Sequence, residues 1–243
     1  MKVRIDQLLV ARGLFESRSQ ARAAIEAGLV VANGGVVRKP SEQFADDVPL
    51  EAQAAHRWVG RGALKLDHAL GLWPVAVEGR VALDVGASTG GFTEVLLERG
   101  AARVFAVDVG FGQMHPRVSA DPRVVSLERT DARDLTTDLI PQAPSLIVCD
   151  ASFISLAKVL PVALDLAAPG ADLVTLVKPQ FEADGPGGGK KGVIKDAAAH
   201  SAAVERVRDW LEAMGWSVQA TAESPITGGD GNVEFLLWAR RRD

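Results

Sequence analysis

The run Asp84-Val85-Gly86-Ala87-Ser88-Thr89-Gly90-Gly91-Phe92 constrains this chain more than any other. Ahead of it, Val81-Ala82-Leu83 reads as a buried strand, and behind it Thr93-Glu94-Val95-Leu96-Leu97-Glu98-Arg99 reads as a helix with one apolar face. A strand that turns through glycines into a helix leaves backbone N–H groups pointing at open space. With no Cβ in the way, a ligand can approach that backbone closely. A second apolar strand, Val104-Phe105-Ala106-Val107, ends in Asp108. That carboxylate falls about 20 residues past the glycines, where a doubly wound sheet places the acid that grips a ribose diol. The pattern predicts a nucleoside-containing cofactor.

The spacing narrows the choice. Dinucleotide sites use Gly-x-Gly-x-x-Gly, whereas here Gly86 is followed by the pair Gly90-Gly91. A phosphate loop needs Gly-Lys-Ser/Thr after its glycines, and none follows. Asp84-x-Gly86 with paired glycines four residues on suits S-adenosylmethionine instead. The expected cofactor contacts are Gly86, Ser88, Gly90, Gly91 and Phe92, with Asp108 for the ribose, Asp131 for the adenine amino group and Asp150 toward the methionine end. An ordinary strand–helix turn would explain the glycines alone, and a strand-end cap would explain Asp108 alone. The three features together are harder to reach by accident.

From residue 61 onward, strand-like runs near 81–85, 103–108, 123–127, 145–150 and 172–178 alternate with helical stretches, including 61–70 and 155–167. That alternation predicts an α/β fold, a Rossmann-like parallel sheet covered on both faces. A long helix near 197–214 precedes two last strands near 216–223 and 232–239. The link between those two has no room for a helix, so one strand must run antiparallel. The Gly-rich run 184–191 reads as a loop, and Lys190 to Asp196 as a segment able to close over a ligand.

Residues 1–60 read as a separate small α+β unit. Asp6 is a candidate cap for a short helix ending at Gly13, and Ser17 or Ser19 for a second one. Asn33-Gly34-Gly35 between Leu29-Val30-Val31 and Val36-Val37 is a hairpin signal. The whole chain carries a net charge of −4, but residues 1–40 hold seven Lys/Arg against three acids, which leaves −8 for the remainder. A basic module on an acidic body points to an anionic partner. Cys149 is the only cysteine and the four histidines are scattered, so neither a disulfide nor a metal site is expected. Charges interrupt the N-terminal apolar run, and no run reaches the ~18 apolar residues of a membrane span. A reduced cytoplasmic setting without membrane insertion is the expectation.

Four polar residues stand at the edges of apolar segments: Lys65, Asp150, Lys178 and Glu234. Asp150 and Lys178 end strands, and ligands of open α/β sheets sit at the carboxyl ends of the strands. Five segments carry a family resemblance: Arg61-Gly62-Ala63-Leu64-Lys65-Leu66, residues 84–92, Asp150-Ala151-Ser152-Phe153, Lys178-Pro179-Gln180-Phe181-Glu182 and Gly231-Asn232-Val233-Glu234-Phe235. Over its whole length the chain resembles the TlyA, or hemolysin A, family of rRNA methyltransferases. Residues 61–243 are similar to FtsJ-type class I methyltransferases, and residues 1–60 to an S4 RNA-binding domain. Thr89 and Phe92 depart from the general FtsJ pattern, which often has Pro and Trp there, but suit the TlyA branch.

The resemblance implies that Lys65, Asp150, Lys178 and Glu234 form the catalytic Lys-Asp-Lys-Glu tetrad of ribose 2′-O-methylation. A ribose hydroxyl is a poor nucleophile and must lose its proton as it attacks. Neutralising an unperturbed lysine at pH 7 costs roughly 4–5 kcal/mol, so the charges around it decide its role. Lys178 is expected to take the proton or orient the hydroxyl, with Lys65 and Glu234 positioning it. Ribosomal RNA or a ribosomal subunit is the implied partner. Arg4, Arg18, Arg22, Arg38 and Lys39 are the expected phosphate contacts, although Arg22 can instead pair with Glu26 four residues on. Three other readings stay open: a non-catalytic S4-type assembly factor, a membrane-active hemolysin, and a base methyltransferase. The last would need a cysteine nucleophile or an Asn/Asp-Pro-Pro-Tyr/Phe motif, and Asp150 is followed by Ala-Ser-Phe.

Overall fold

A computed structural model describes residues 2–182, 193–228 and 231–242. The Gly-rich run 184–191 and Lys190 to Gly192 of the expected closing segment lie outside the described residues. The chain folds as two compact units, Met1–Arg61 and Gly62–Asp243.

The first unit holds β1 (Lys2–Arg4), α1 (Ile5–Ala11), α2 (Arg18–Glu26), β2 (Val30–Ala32), β3 (Gly35–Val36), β4 (Gln43–Ala45) and β5 (Leu50–Ala52). Strands β3, β2 and β5 form one antiparallel sheet, and β1 pairs with β4. The hairpin turns at Asn33 and Gly34, with φ of 50° and 77°. Positive φ at both central residues gives the turn whose twist matches its strands. Ile5, Leu9, Ala21, Ala24, Ile25 and Val30 build a small core between helices and sheet. Ser17 caps α2 by accepting from the Gln20 N–H.

Asp6 does not cap α1, contrary to expectation. Arg4 holds the cap position without a side-chain bond, and Asp6 lies inside the first turn, fully buried. Its carboxylate has a stronger claim on it. Arg4 donates at 3.0 Å to each oxygen, and Arg18 donates at 2.7 Å to Oδ2.

The second unit is a seven-stranded sheet between helices. Its strands are β6 (Val81–Val85), β7 (Arg103–Val107), β8 (Val124–Leu127), β9 (Leu146–Cys149), β10 (Asp172–Val177), β11 (Trp216–Glu223) and β12 (Phe235–Arg241). The spatial order is β11-β12-β10-β9-β6-β7-β8. Every pair from β8 to β10 is parallel, and β12 is antiparallel to both its neighbours. The central strands are apolar nearly throughout because helices cover both faces. The helices are α3 (Ala63–Leu72), α4 (Gly91–Glu98), α5 (Pro116–Ser119), α6 (Leu156–Val159), α7 (Pro161–Asp165), α8 (Pro179–Glu182) and α9 (Ala197–Ala213). Leu83, Phe105, Ile147, Leu164, Leu173 and Leu211 lie in the core.

Two elements differ in detail from the pattern. The helix expected over 155–167 is divided between α6 and α7 at Pro161, which has no N–H to continue the first helical ladder. Glu234 lies one residue before β12 rather than within it.

Register then sets the functional edge. Val85 pairs with Val107 and with Cys149, so Gly86, Asp108 and Asp150 follow level with one another. Val177 pairs with Phe235 in the antiparallel ladder, which sets Lys178 opposite Glu234.

Burial pushes the Asp6 carboxyl up, but the hydrogen bonds from Arg4 and Arg18 outweigh it and hold the group at about 2 against an ordinary 3.8. Its stabilisation is complete above pH 3.8 and is lost as pH falls toward 2. With both arginines half exposed, about 1–2 kcal/mol is expected to disappear over that window. Amide hydrogen exchange in the first unit at pH 2.5 and 5 will show the loss in the wild type. In Asp6→Asn the protection should be lower and flat with pH.

Candidate active site

The four edge residues come together. Lys65, in the first turn of α3, places its Nζ 3.1 Å from Asp150 Oδ2 and 2.7 Å from Glu234 Oε2. Lys178, one residue past β10, places its Nζ 2.6 Å from Asp150 Oδ1, 3.3 Å from the Asp150 carbonyl and 2.8 Å from Ser152 Oγ. Asp150 thus bridges the two lysines. Lys65, Lys178 and Glu234 are 6%, 5% and 3% exposed, so this is an interior cluster and none of the three is a solvated surface charge. Burial pushes the Lys65 ammonium down, but Asp150 and Glu234 outweigh it and raise it above its ordinary range. Burial pushes Asp150 up, and the two lysines reverse the sign and hold it ionised.

Beside the tetrad lies a cavity of about 490 Å³, lined by Gly86, Ser88, Asp108, Asp131, Asp150 and Ala151 among others. That volume suits a nucleoside-sized ligand. Gly86 has a φ of 84°, and a Cβ there would stand 3.1 Å from the Ala151 backbone. Only glycine lets the loop after β6 close on the loop after β9. Asp108 is aimed by two backbone donors, Ser88 N at 2.8 Å and Gly110 N at 2.7 Å. Asp131 caps a short 3₁₀ turn and pairs with Arg133, whose hydrogen bonds lower its carboxyl. Gly90, Gly91 and Phe92 stand outside the lining. Gly90 turns the chain into α4 with a φ of 91°, and Phe92 is buried near Gly62.

Several side chains at the site stand outside the set expected to contact ligand or substrate. Gln113, Thr130, Ser152 and Phe153 line the cavity. Phe153 is 87% exposed at a φ of 67° and touches the Phe181 ring at 5.3 Å between centroids. Asp84 is fully buried, accepts from Thr93 Oγ1 at 2.7 Å, and is pushed by burial to about 7. Cys149 is fully buried as well, and burial pushes its thiol to about 12, which rules out a thiolate nucleophile at neutral pH.

In the first unit the expected anion-binding residues divide. Arg4 and Arg18 are held side by side on Asp6 with 41% and 53% of their side chains exposed. Arg22 is exposed, and its anticipated partner Glu26 pairs with Arg61 at 2.8 Å instead. Arg38 and Lys39 are also exposed, and their backbone N–H groups donate to Glu42.

The seven-stranded sheet, with a cavity at the carboxyl ends of β6, β7 and β9, has the architecture of class I S-adenosylmethionine-dependent methyltransferases. Residues 58–241 match the FtsJ-like methyltransferase model, and residues 3–45 match the S4 domain. The chain belongs to the FtsJ-like methyltransferase family, in its TlyA branch. It is similar to the 16S/23S rRNA (cytidine-2'-O)-methyltransferase TlyA of Mycobacterium tuberculosis, at 47% identity covering 98% of this chain and 90% of that protein. Hemolysin A of Brachyspira hyodysenteriae is 36% identical over 96% of this chain and 98% of its own. A solved structure described as a hemolysin from Streptococcus thermophilus aligns with a TM-score of 0.79 at 41% identity, covering 100% of this chain and 89% of that one.

Gly228 offers a test of the geometry. A Cβ at this position would stand 2.5 Å from Glu234 Oε1. Gly228→Ala is expected to push the Glu234 carboxylate off Lys65 and lower turnover at least tenfold. The dissociation constant for S-adenosylhomocysteine, read by calorimetry, should stay within twofold of wild type.

Proposed function

We propose that this chain transfers the methyl group of S-adenosylmethionine to a ribose 2′-hydroxyl of ribosomal RNA, with its first unit gripping the RNA and its second carrying the chemistry. The observation that carries this reading is the convergence of Lys65, Asp150, Lys178 and Glu234 beside the cofactor cavity. The place of work would be the cytoplasm, where ribosomal subunits are built. Among the described residues, no helix is long and apolar enough to cross a membrane.

The cavity residues fit the cofactor. Asp108 would take the ribose diol, Asp131 the adenine edge, and the backbone around Gly86 the methionine end. When bound, the group supplies an electrophilic sulfonium methyl. The protein's part is to hold the acceptor hydroxyl in line and manage its proton. Lys65, clamped between two carboxylates, remains an ammonium and orients. Lys178 would face the acceptor and, in its neutral form, take the proton that the hydroxyl loses as the methyl is transferred. An ammonium has three N–H donors, and all three of its nearest acceptors belong to this chain: the Asp150 carboxylate, the Asp150 carbonyl and Ser152. Two of these are fixed. Ser152 is exposed, so its hydroxyl is the contact an incoming ribose oxygen displaces. Phe153 presents an open ring beside this point, a surface on which an unstacked base can lie.

The charge-neutral tetrad also argues against a non-catalytic assembly factor. Burying two lysines and two carboxylates is costly unless the arrangement is used, because a well-packed apolar cluster would serve stability as well.

Purified protein given ribosomal subunits or free rRNA with labelled S-adenosylmethionine should label ribose 2′ positions, mapped by nuclease-resistant linkages. Lys178→Ala is expected to reduce labelling by at least a hundredfold while binding S-adenosylhomocysteine like the wild type. Wild-type labelling by that variant, or methyl groups found only on bases, would overturn the reading.

A further inference from the structure

The loop 109–115 between β7 and α5 has a construction that the tetrad does not require. Three successive backbone N–H groups, of Gly112, Gln113 and Met114, lie 2.9, 3.1 and 3.5 Å from the Glu128 carboxylate. These bonds, led by that of Gly112, lower the Glu128 carboxyl below its ordinary range. The main chain closes the loop again through Arg129 N to Gly110 O at 2.9 Å and His115 N to Thr89 O at 3.1 Å. The Arg129 guanidinium sits 3.8 Å from the centre of the Phe111 ring. Polar and aromatic ties on this scale fix a surface loop that has few buried apolar contacts of its own.

What the loop delivers to the cavity is Gln113. Its Oε1 accepts at 3.2 Å from the hydroxyl of Ser88, the same residue whose backbone N–H aims Asp108. Its amide nitrogen lies over Gly110. A Cβ there would stand 2.1 Å from Gln113 Nε2 and 3.0 Å from Asp108 Oδ1, so the missing side chain is what lets amide and carboxylate meet over one point. Among the described residues, the two Nε2 hydrogens donate to no group. The chemistry at that point is complementary. A carboxylate is acceptor-only and reads the hydrogens of a vicinal diol, whereas the diol oxygens also have lone pairs that need donors. Asp108 supplies the first half of that recognition and an amide N–H₂ supplies the second.

We propose that Gln113 is a second ribose-recognition residue of the cofactor site, donating to the diol that Asp108 accepts from, and that Glu128 is the positioning residue that sets its loop. The inference rests on the cofactor assignment above and is independent of the tetrad.

Calorimetry on the full chain tests it without turnover. Two ligands serve as probes: S-adenosylhomocysteine and its analogue lacking both ribose hydroxyls. Gln113→Ala is expected to weaken S-adenosylhomocysteine roughly tenfold, the effect of one lost hydrogen bond to a polar ligand group. It should leave the constant for the dideoxy analogue unchanged. Glu128→Ala should lose a similar factor, and the double variant no more than either alone, because both act on one contact. An unchanged S-adenosylhomocysteine constant in Gln113→Ala overturns the proposal, as does an equal loss for both ligands. Lys178→Ala binding like wild type separates this outcome from failure of the tetrad reading. A wild type that bound neither ligand would overturn the cofactor assignment along with it.

Discussion

Asp150 is the constraint on which the site turns. One carboxylate accepts from two buried lysines, at 3.1 and 2.6 Å, and its backbone carbonyl holds one of them again. Without it, Lys65 and Lys178 would face each other as like charges with little water to screen them, a cost of several kcal/mol. Its placement is a matter of strand register. Cys149 pairs with Val85 on one side and Thr175 on the other, so the residue after Cys149 must emerge between the glycine turn and Lys178. The contact of Gly86 with the Ala151 backbone then locks the loop after β6 and the loop after β9 together.

Glu234 shows why the sheet needs a reversed strand. A parallel strand in the position of β12 would enter at the opposite edge, and its carboxyl end would present a late residue to the site. Running antiparallel, β12 presents the residue before its start. Gly228 keeps room for that carboxylate within the connecting turn, where Gly228 N donates to Asn232 O and Ser224 N to Glu234 O.

Much of this was legible in the chain itself. Strands buried on both faces announce themselves as unbroken apolar runs, as at 104–107 and 146–149, and the glycine turn follows the neighbouring core strand at 81–85. Lys65 and Glu234 were placed by family resemblance, because nothing local distinguishes them from surface residues. The parts that escaped reading share one physical cause. Glu128 holds its loop through main-chain N–H groups, Gln113 acts through the room left by Gly110, and Asp6 abandons the helix cap for two arginines. Each depends on where backbone and distant side chains come to lie, and no periodicity encodes that.

The tetrad has a further consequence through its charge. Two lysines and two carboxylates sum to nothing, so this cluster exerts little pull on a polyanion at a distance. The excess positive charge sits in residues 1–40, on a separate compact unit. On the proposed reading, capture and conversion would therefore be governed by different electrostatics. Ionic strength would act on the open, screened charges of the first unit. The interior quartet, shielded from the same ions, would work at a pace that the salt of the medium hardly touches.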